Sequence, residues 1–305
     1  MRAVALTDKS SAPRVVDLPK PVATPGHLIV HVQASSLNGF DISVAARFLE
    51  GMMEYRYPVV MGKDYAGVVD SIGEGVTKFA EGDRVFGVVT SPFLRDGGIG
   101  EYVIVNEKYG ITKIPAGVET ADAGALGLAG AAAVDAIDAV ALKAGQTVLI
   151  VGATGGVGAI ATQYAVAAGA TVIATAKAGA QTEFVKKQGA QHVVDSKGDL
   201  AAQLKTIAPN GVDAILHLAG DASDLPALLA PNGKIASLLG FGAEKHPAAI
   251  AILASANPTT LDRLAADVAA RRIHVPITVT YTLDEVPRAI AEFHSGQFGK
   301  QAIKI

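Results

Sequence analysis

Two hydrophobic rhythms divide the chain. Up to about residue 117, apolar residues fall in short runs bounded by Pro and Gly. His27–Ser35 alternates, with Leu28, Val30 and Val32 set against Ile29, His31 and Gln33. Asp64–Ile72, Asp83–Val89 and Glu101–Val105 are further short β-rich runs, and Pro13, Pro19, Pro21, Pro25, Pro58 and Pro92 interrupt helices. This predicts a partly antiparallel, barrel-like region. From about Glu119 the rhythm changes. Short apolar strands are expected at Thr147–Val151, Thr171–Ala174, Val193–Val194, Val212–Leu218 and Lys234–Leu239. Helices are expected at Gly156–Ala168, Gln181–Gln188, Leu200–Ile207, Ser223–Leu229 and Leu261–Arg271. Strand–helix–strand at this spacing predicts an α/β fold, a doubly wound parallel sheet. The tail predicts strands Ile277–Tyr281 and Gln301–Ile305 around a helix Leu283–His294, and the pattern leaves open which region they join.

Composition narrows the classes. At 305 residues the chain suggests two domains, on a scale of roughly 150 residues per domain. With 50% hydrophobic and 18% charged residues it is not disordered as a whole. It has no cysteine, which excludes disulfides, thiolate metal sites and a Cys nucleophile. A net charge of −3 gives no basic balance for nucleic acid or an anionic membrane. No charge falls in the 33 residues between Lys143 and Lys177, but clustered glycines split that stretch into strand, turn and helix rather than a membrane span. Asp8 and Lys9 come too early for a signal-peptide core, so a cytoplasmic protein is expected.

The strongest local signal is Thr147-Val148-Leu149-Ile150-Val151-Gly152-Ala153-Thr154-Gly155-Gly156-Val157-Gly158. An apolar strand enters a glycine turn and then a helix. Gly152 permits the turn, Gly155 lets the backbone approach a pyrophosphate, and Gly158 lets the helix pack on the strand. The helix start at Gly156 and Val157, with Thr154 beside it, offers N–H groups to an anion. A dinucleotide is therefore expected there; the alternative is a turn kept only for packing. An NAD site expects an acid about 20 residues on. Val172 to Lys177 has none, and Glu183 is the next. Thr175 as a donor and Lys177 as a cation suit the 2′-phosphate, so NADPH is expected over NADH. Ala219, Leu239 and Phe241 close later strands and are read as further cofactor contacts, or as strand-end packing.

Taken together, Asn38-Gly39-Phe40-Asp41, Tyr57 to Val69, Ile72 to Gly87, Gly100-Glu101-Tyr102-Val103, Leu126 to Gly130, the glycine turn and Gly299-Lys300 resemble the medium-chain dehydrogenase/reductases. The likeness is to their zinc-independent, quinone oxidoreductase (zeta-crystallin-like) branch and covers nearly the whole chain. It implies a GroES-like catalytic domain from 1–117 and 273–305, with a Rossmann-type NADPH domain, 118–272, inserted. It also implies a nicotinamide held in the cleft between them. Zinc-dependent members use a Cys, a Gly-His-Glu triplet and a further Cys. Here Asn38 and Gly62-Lys63-Asp64 stand at the corresponding positions, so no metal is expected.

Without a Lewis acid, acceptors that spread charge onto oxygen are favoured. The resemblance thus implies hydride transfer from NADPH to a quinone or an α,β-unsaturated carbonyl. It carries over Asn38 and Asp41 as cofactor or substrate contacts, with helix capping as the plain alternative. Tyr55 and Tyr57, with Asn38, are the catalytic candidates, the phenols as hydrogen-bond and proton donors or as rim packing. Lys63 is read first as the ion-pair partner of Asp64 or Asp41 and second as an oxyanion stabiliser. Ala131-Ala132 lacks the family's usual Thr, and Ser196 stands where a tyrosine often contacts the phosphate region. An enoyl-thioester reductase and a non-catalytic NADPH-binding or sensor protein are the alternatives. His217 is read as a satisfied core residue, and Tyr109-x-x-x-Lys113 as no catalytic pair. By analogy the sheet edge near Lys234–Phe241 pairs two copies in a homodimer.

Overall fold

The computed structural model describes residues 1–293 and 295–305. The end of the helix expected at Leu283–His294 falls on His294, outside the described residues. The chain folds as two compact units: Met1–Leu128 with Ala256–Ile305, and Ala129–Ser255.

In the first unit the main sheet runs Ile111–Lys113, Arg84–Val88, Asp64–Ile72, His27–Leu37, Lys300–Lys304, Ile277–Thr282, with Tyr102–Asn106 also pairing to His27–Leu37. The tail therefore returns to the first region. Lys300–Lys304 lies antiparallel to His27–Leu37, with Gln301 opposite Leu37. That register brings Lys300 to the end of the strand that delivers Asn38. A smaller sheet joins Arg2–Leu6, Arg14–Asp17 and Val59–Val60. The alternation predicted for His27–Ser35 has a cause. Leu28, Val30 and Val32 join an apolar core with Tyr65, Val69, Val85 and Val103, while His31 and Gln33 are exposed; Ile29, expected on their face, is buried as well.

The second unit is a six-stranded, wholly parallel sheet. Its order is His192–Val194, Thr171–Thr175, Thr147–Val151, Val212–His217, Leu229–Ser237, Ala249–Ala251. The order reverses direction beside Thr147–Val151, at the carboxyl end of which sheets of this kind bind ligands. Val148, Leu149, Ile150, Ile173, Ile215 and Ile235 have no exposed surface, which explains the near-continuous apolar runs. The charge-free stretch resolves into strand, turn, helix and strand, and no helix among the described residues is long and apolar enough to cross a membrane.

Several expectations shift. The helix Pro258–Ala269 belongs to the first unit, where Asp262 accepts a hydrogen bond from Thr112. The crossings therefore fall at 128/129 and 255/256, not at 117/118 and 272/273. Ser223–Leu229 is only a short 3₁₀ turn, Leu225–Leu228, with Pro226 in it, and the strand expected at Lys234 begins at Leu229. That strand is interior, flanked on both sides; the sheet edge on that side is Ala249–Ala251. The expected pairing edge at Lys234–Phe241 is corrected accordingly. Lys113 lies in a strand paired with Asp83 at 2.8 Å, so no helix aligns it with Tyr109.

Candidate functional site

The glycine turn of the second unit is built as its residue types demand. Gly152 sits at φ +91°, a conformation that disfavours a side chain. A Cβ on Gly158 would lie 2.3 Å from the Gly152 carbonyl oxygen and 2.6 Å from the Ala153 Cα, so only glycine lets the helix meet the strand here. Gly155 is exposed, and a Cβ there would meet nothing nearer than that same carbonyl at 3.6 Å. Gly155 caps the helix Gly156–Ala167 with no side-chain bond. The N–H groups of Gly156, Val157 and Gly158 begin that helix without intrahelical acceptors. An open face, small residues and free donors fit a pyrophosphate.

The neighbouring strand contributes differently from the sequence expectation. Thr175 is buried, and its hydroxyl accepts from the Gly152 N–H at 2.9 Å while donating to the Ile150 carbonyl at 3.3 Å. The hydroxyl is spent on fixing the turn. The expected donation from Thr175 to a phosphate is therefore corrected to a scaffolding role. Lys177 is exposed, with no ion pair among the described residues. Ser196 is exposed in the turn after His192–Val194.

At the other strand ends His217 is the satisfied core residue expected, and the structure gives its partners. His217 is buried; its Nδ1 accepts from the Ser237 hydroxyl at 2.9 Å and its Nε2 donates to the Gly220 carbonyl at 3.1 Å. Ser237 Oγ in turn accepts the N–H groups of Leu239 and Phe241. The imidazole thus ties two loops together. Ala219 lies against the glycine turn, 2.9 Å from where a Gly152 Cβ would be. Leu239 is exposed, and the Phe241 ring stands edge-on to His217 at 6.4 Å.

The first unit holds a buried polar cluster. Asp64 and Lys300 are almost wholly enclosed, and Lys300 Nζ lies 3.4 Å from Asp64 Oδ2. That same oxygen accepts from Ser36 Oγ and from Asn38 Nδ2 at 2.8 Å, and Oδ1 accepts the Leu128 N–H at 2.7 Å. Lys300 also donates to Asn38 Oδ1 at 2.7 Å. Asn38 is thereby locked between an acid and a cation. Burial holds the Lys300 ammonium below its ordinary pKa, while Asp64 and Asp41 act against that. Asn38 also begins the short helix Gly39–Ala45, where Asp41 Oδ2 accepts the Asn38 N–H at 2.9 Å. The capping alternative thus describes Asp41 in part. Burial, then the charge of Asp64, pushes the Asp41 carboxyl up to about 7, against the Asn38 N–H and the charges of Lys300 and Lys63.

The tyrosines separate. Tyr55 donates to the Val44 carbonyl at 3.3 Å, and burial raises its pKa. Tyr57 accepts from Arg47 at 3.2 Å. The Lys63 ammonium donates to the Val89 carbonyl at 2.8 Å and lies over the Phe40 ring at 4.9 Å. The expected ion pair of Lys63 with Asp64 or Asp41 does not form. Lys300, central to the cluster, carried only a motif position in the sequence, as the residue after Gly299 at the start of the terminal strand Lys300–Lys304.

Comparison with known proteins bears on both units. The alcohol dehydrogenase GroES-like domain family matches residues 24–116 and the zinc-binding dehydrogenase family matches 156–292. The solved quinone oxidoreductase of Coxiella burnetii superposes over 100% of this chain and 99% of its own, with a TM-score of 0.89 at 27% identity. A chloroplast envelope quinone oxidoreductase homolog of Arabidopsis thaliana is 34% identical over 210 residues, 67% of this chain.

The chain belongs to the medium-chain dehydrogenase/reductase family.

Within that family its likeness is to quinone oxidoreductases, and the family binds a nicotinamide cofactor. The match spans 63% of the Arabidopsis protein's length. A mycocerosic acid synthase-like polyketide synthase of Mycobacterium tuberculosis is 37% identical over 204 residues, 9% of that protein. The matching family's name includes zinc, yet the donors here do not fit the ion. Asn38 is spent on Asp64 and Lys300, the triplet's histidine position is a lysine, and the chain has no cysteine.

Proposed function

We propose that this family member is an NADPH-dependent reductase of quinones or α,β-unsaturated carbonyls that works without a metal. The observation that carries the reading is the glycine turn Gly152–Gly158 with no acid on the neighbouring strand end and a free Lys177 beside it. The cofactor, when bound, supplies a hydride to the acceptor. The backbone N–H groups of Gly156 and Val157 bind its pyrophosphate, Lys177 attracts its 2′-phosphate, and Ala219 borders the turn. Per turnover one acceptor, one NADPH and one proton become the reduced acceptor and NADP⁺.

Charge that develops on the acceptor oxygen needs a donor or a proton. Of the two tyrosines, Tyr57 suits this better. Tyr55 donates its O–H to the Val44 carbonyl, whereas Tyr57 accepts from Arg47, which leaves its O–H available as a donor. Asn38, held by Asp64 and Lys300, presents a fixed amide in the same unit.

The test is NADPH oxidation with a panel of quinones and enones, beside titration of both cofactors. Saturable NADPH binding with turnover on neither class supports the non-catalytic alternative. Tighter NADH than NADPH binding overturns the cofactor assignment. A second reading, reduction of an enoyl thioester, is favoured by the polyketide synthase match. A small enoyl thioester in the same panel separates the two.

A further inference from the structure

Within the first unit, a small pocket of about 20 Å³, room for one water-sized group, opens to solvent beside Lys63. Phe40, Val44, Met61, Phe93 and Leu94 supply apolar wall, and Lys63 and Asp41 supply charge and polarity. A pocket of that size takes one oxygen-sized group of a small molecule whose remainder lies toward solvent. Lys63 is the unusual member. Its ammonium has three N–H donors, and the structure gives one of them to the Val89 carbonyl. The Phe40 face supplies a further weak attraction. No carboxylate among the described residues comes within ion-pair distance of it. The acids of the region are engaged otherwise: Asp64 with Lys300, Ser36 and Asn38, and Asp41 Oδ2 with the Asn38 N–H.

We propose that Lys63 is a catalytic residue: its ammonium binds the acceptor's carbonyl oxygen in this cavity and stabilises the negative charge that reduction places there. The proposal rests on the reductase reading and sets Lys63, rather than Tyr57, against the acceptor oxygen, because Tyr57 does not line this pocket. A lysine held against apolar walls with spare donors is a site for an oxyanion, which gains a charge-assisted hydrogen bond. The Lys63 position answers to the histidine of the family's zinc triplet, so a fixed cation stands in the metal's neighbourhood. Burial lowers the Lys63 pKa, with Asp41 opposing, and an arriving negative oxygen relieves that cost. The remaining charges around the cavity are Arg95 and Asp96. Burial raises the pKa of Asp96 against the pull of Arg95 and His27, and Arg95 is the competing anion site.

The probe is 2,4-dinitrophenolate, a planar phenolate that stays ionised near neutral pH, titrated into cofactor-free protein. Lys63→Met is expected to weaken its binding by about tenfold or more, the worth of a charge-assisted hydrogen bond, while Arg95→Ala changes it by no more than about twofold. Equal binding by wild type and Lys63→Met, or loss in Arg95→Ala instead, overturns the proposal. Since Lys63→Met can disturb folding, wild-type protein is also labelled with trinitrobenzenesulfonate. Phenolate is expected to protect the Lys63 peptide, and unchanged labelling of that peptide overturns the proposal. NADPH binding is measured separately by fluorescence. Failure there removes the reductase reading and leaves the phenolate result to judge Lys63.

Discussion

The two units treat polarity in opposite ways. The second makes its candidate anion site from backbone: a turn of glycines, a helix start and one exposed lysine, with no buried ion pair at the turn. The first encloses Asp64, Asp41 and Lys300 and ties all three to Asn38 by hydrogen bonds. A backbone site tolerates little change of side-chain size and much change of charge. A buried charge cluster has the reverse tolerance, because removing one member leaves the others without compensation.

The sharpest way to break this contrast is to remove the cation of the cluster. Lys300→Met leaves Asp64 buried with Ser36, Asn38 and the Leu128 N–H but no countercharge. A loss of about 3–5 kcal/mol in unfolding free energy is expected from urea denaturation. Adding Asp64→Asn to the same chain is expected to recover part of it. A double variant no better than Lys300→Met would show that the lysine acts by packing alone.

The matching change in the second unit is one of size. Gly158→Ala drives a methyl against the Gly152 carbonyl and the Ala153 Cα, both backbone. The turn must shift, and a cost of about 1–3 kcal/mol in overpacking is expected, with NADPH affinity down about tenfold by fluorescence titration. Gly155→Ala, whose Cβ would make only an ordinary 3.6 Å contact with the Gly152 carbonyl, is expected to leave stability unchanged. Equal losses for the two variants would mean that the turn is not shaped by close approach.

What the sequence disclosed follows the same division. The glycine turn was legible because each glycine answers a local demand of strand, turn and helix within twelve residues. The sheet was legible because parallel strands buried on both faces read as apolar runs. The cluster was not, because its partners are far apart in the chain: Asn38 and Lys300 meet through a strand register that no local pattern specifies. Thr175 was misread for a related reason. Its type suits a phosphate donor, but its hydroxyl reaches across to the preceding strand end, which only the paired sheet reveals.

A smaller effect sharpens the contrast through pH. Asp41, raised from its ordinary 3.8 to about 7, binds a proton in the folded chain that the unfolded chain releases in that interval. Its contribution to stability is therefore complete below 3.8 and declines as pH rises through 7. Lys63, Lys300 and Asp64 face it and set the midpoint. Between pH 6 and 8 a fall of about 1 kcal/mol is expected, and Asp41→Asn, which keeps an acceptor for the Asn38 N–H, should flatten that slope. A variant as pH-sensitive as the wild type would move the titration to another group.

The smallest change tests the charge of the backbone site. Lys177 is exposed and held by no ion pair among the described residues, so its loss should not touch stability. Its charge is close to the end of the strand that carries Thr175, where a 2′-phosphate is expected and a 2′-hydroxyl would be indifferent to it. A solvated cation contributes only about 0.5–1 kcal/mol, so Lys177→Ser should weaken NADPH by about threefold and leave NADH unchanged. Salt should shrink the difference, because an exposed charge is screened within about 10 Å at 0.1 M ionic strength. An equal loss for both cofactors would assign Lys177 to the pyrophosphate instead. No loss for either would leave the preference for the phosphorylated cofactor to the missing acid alone.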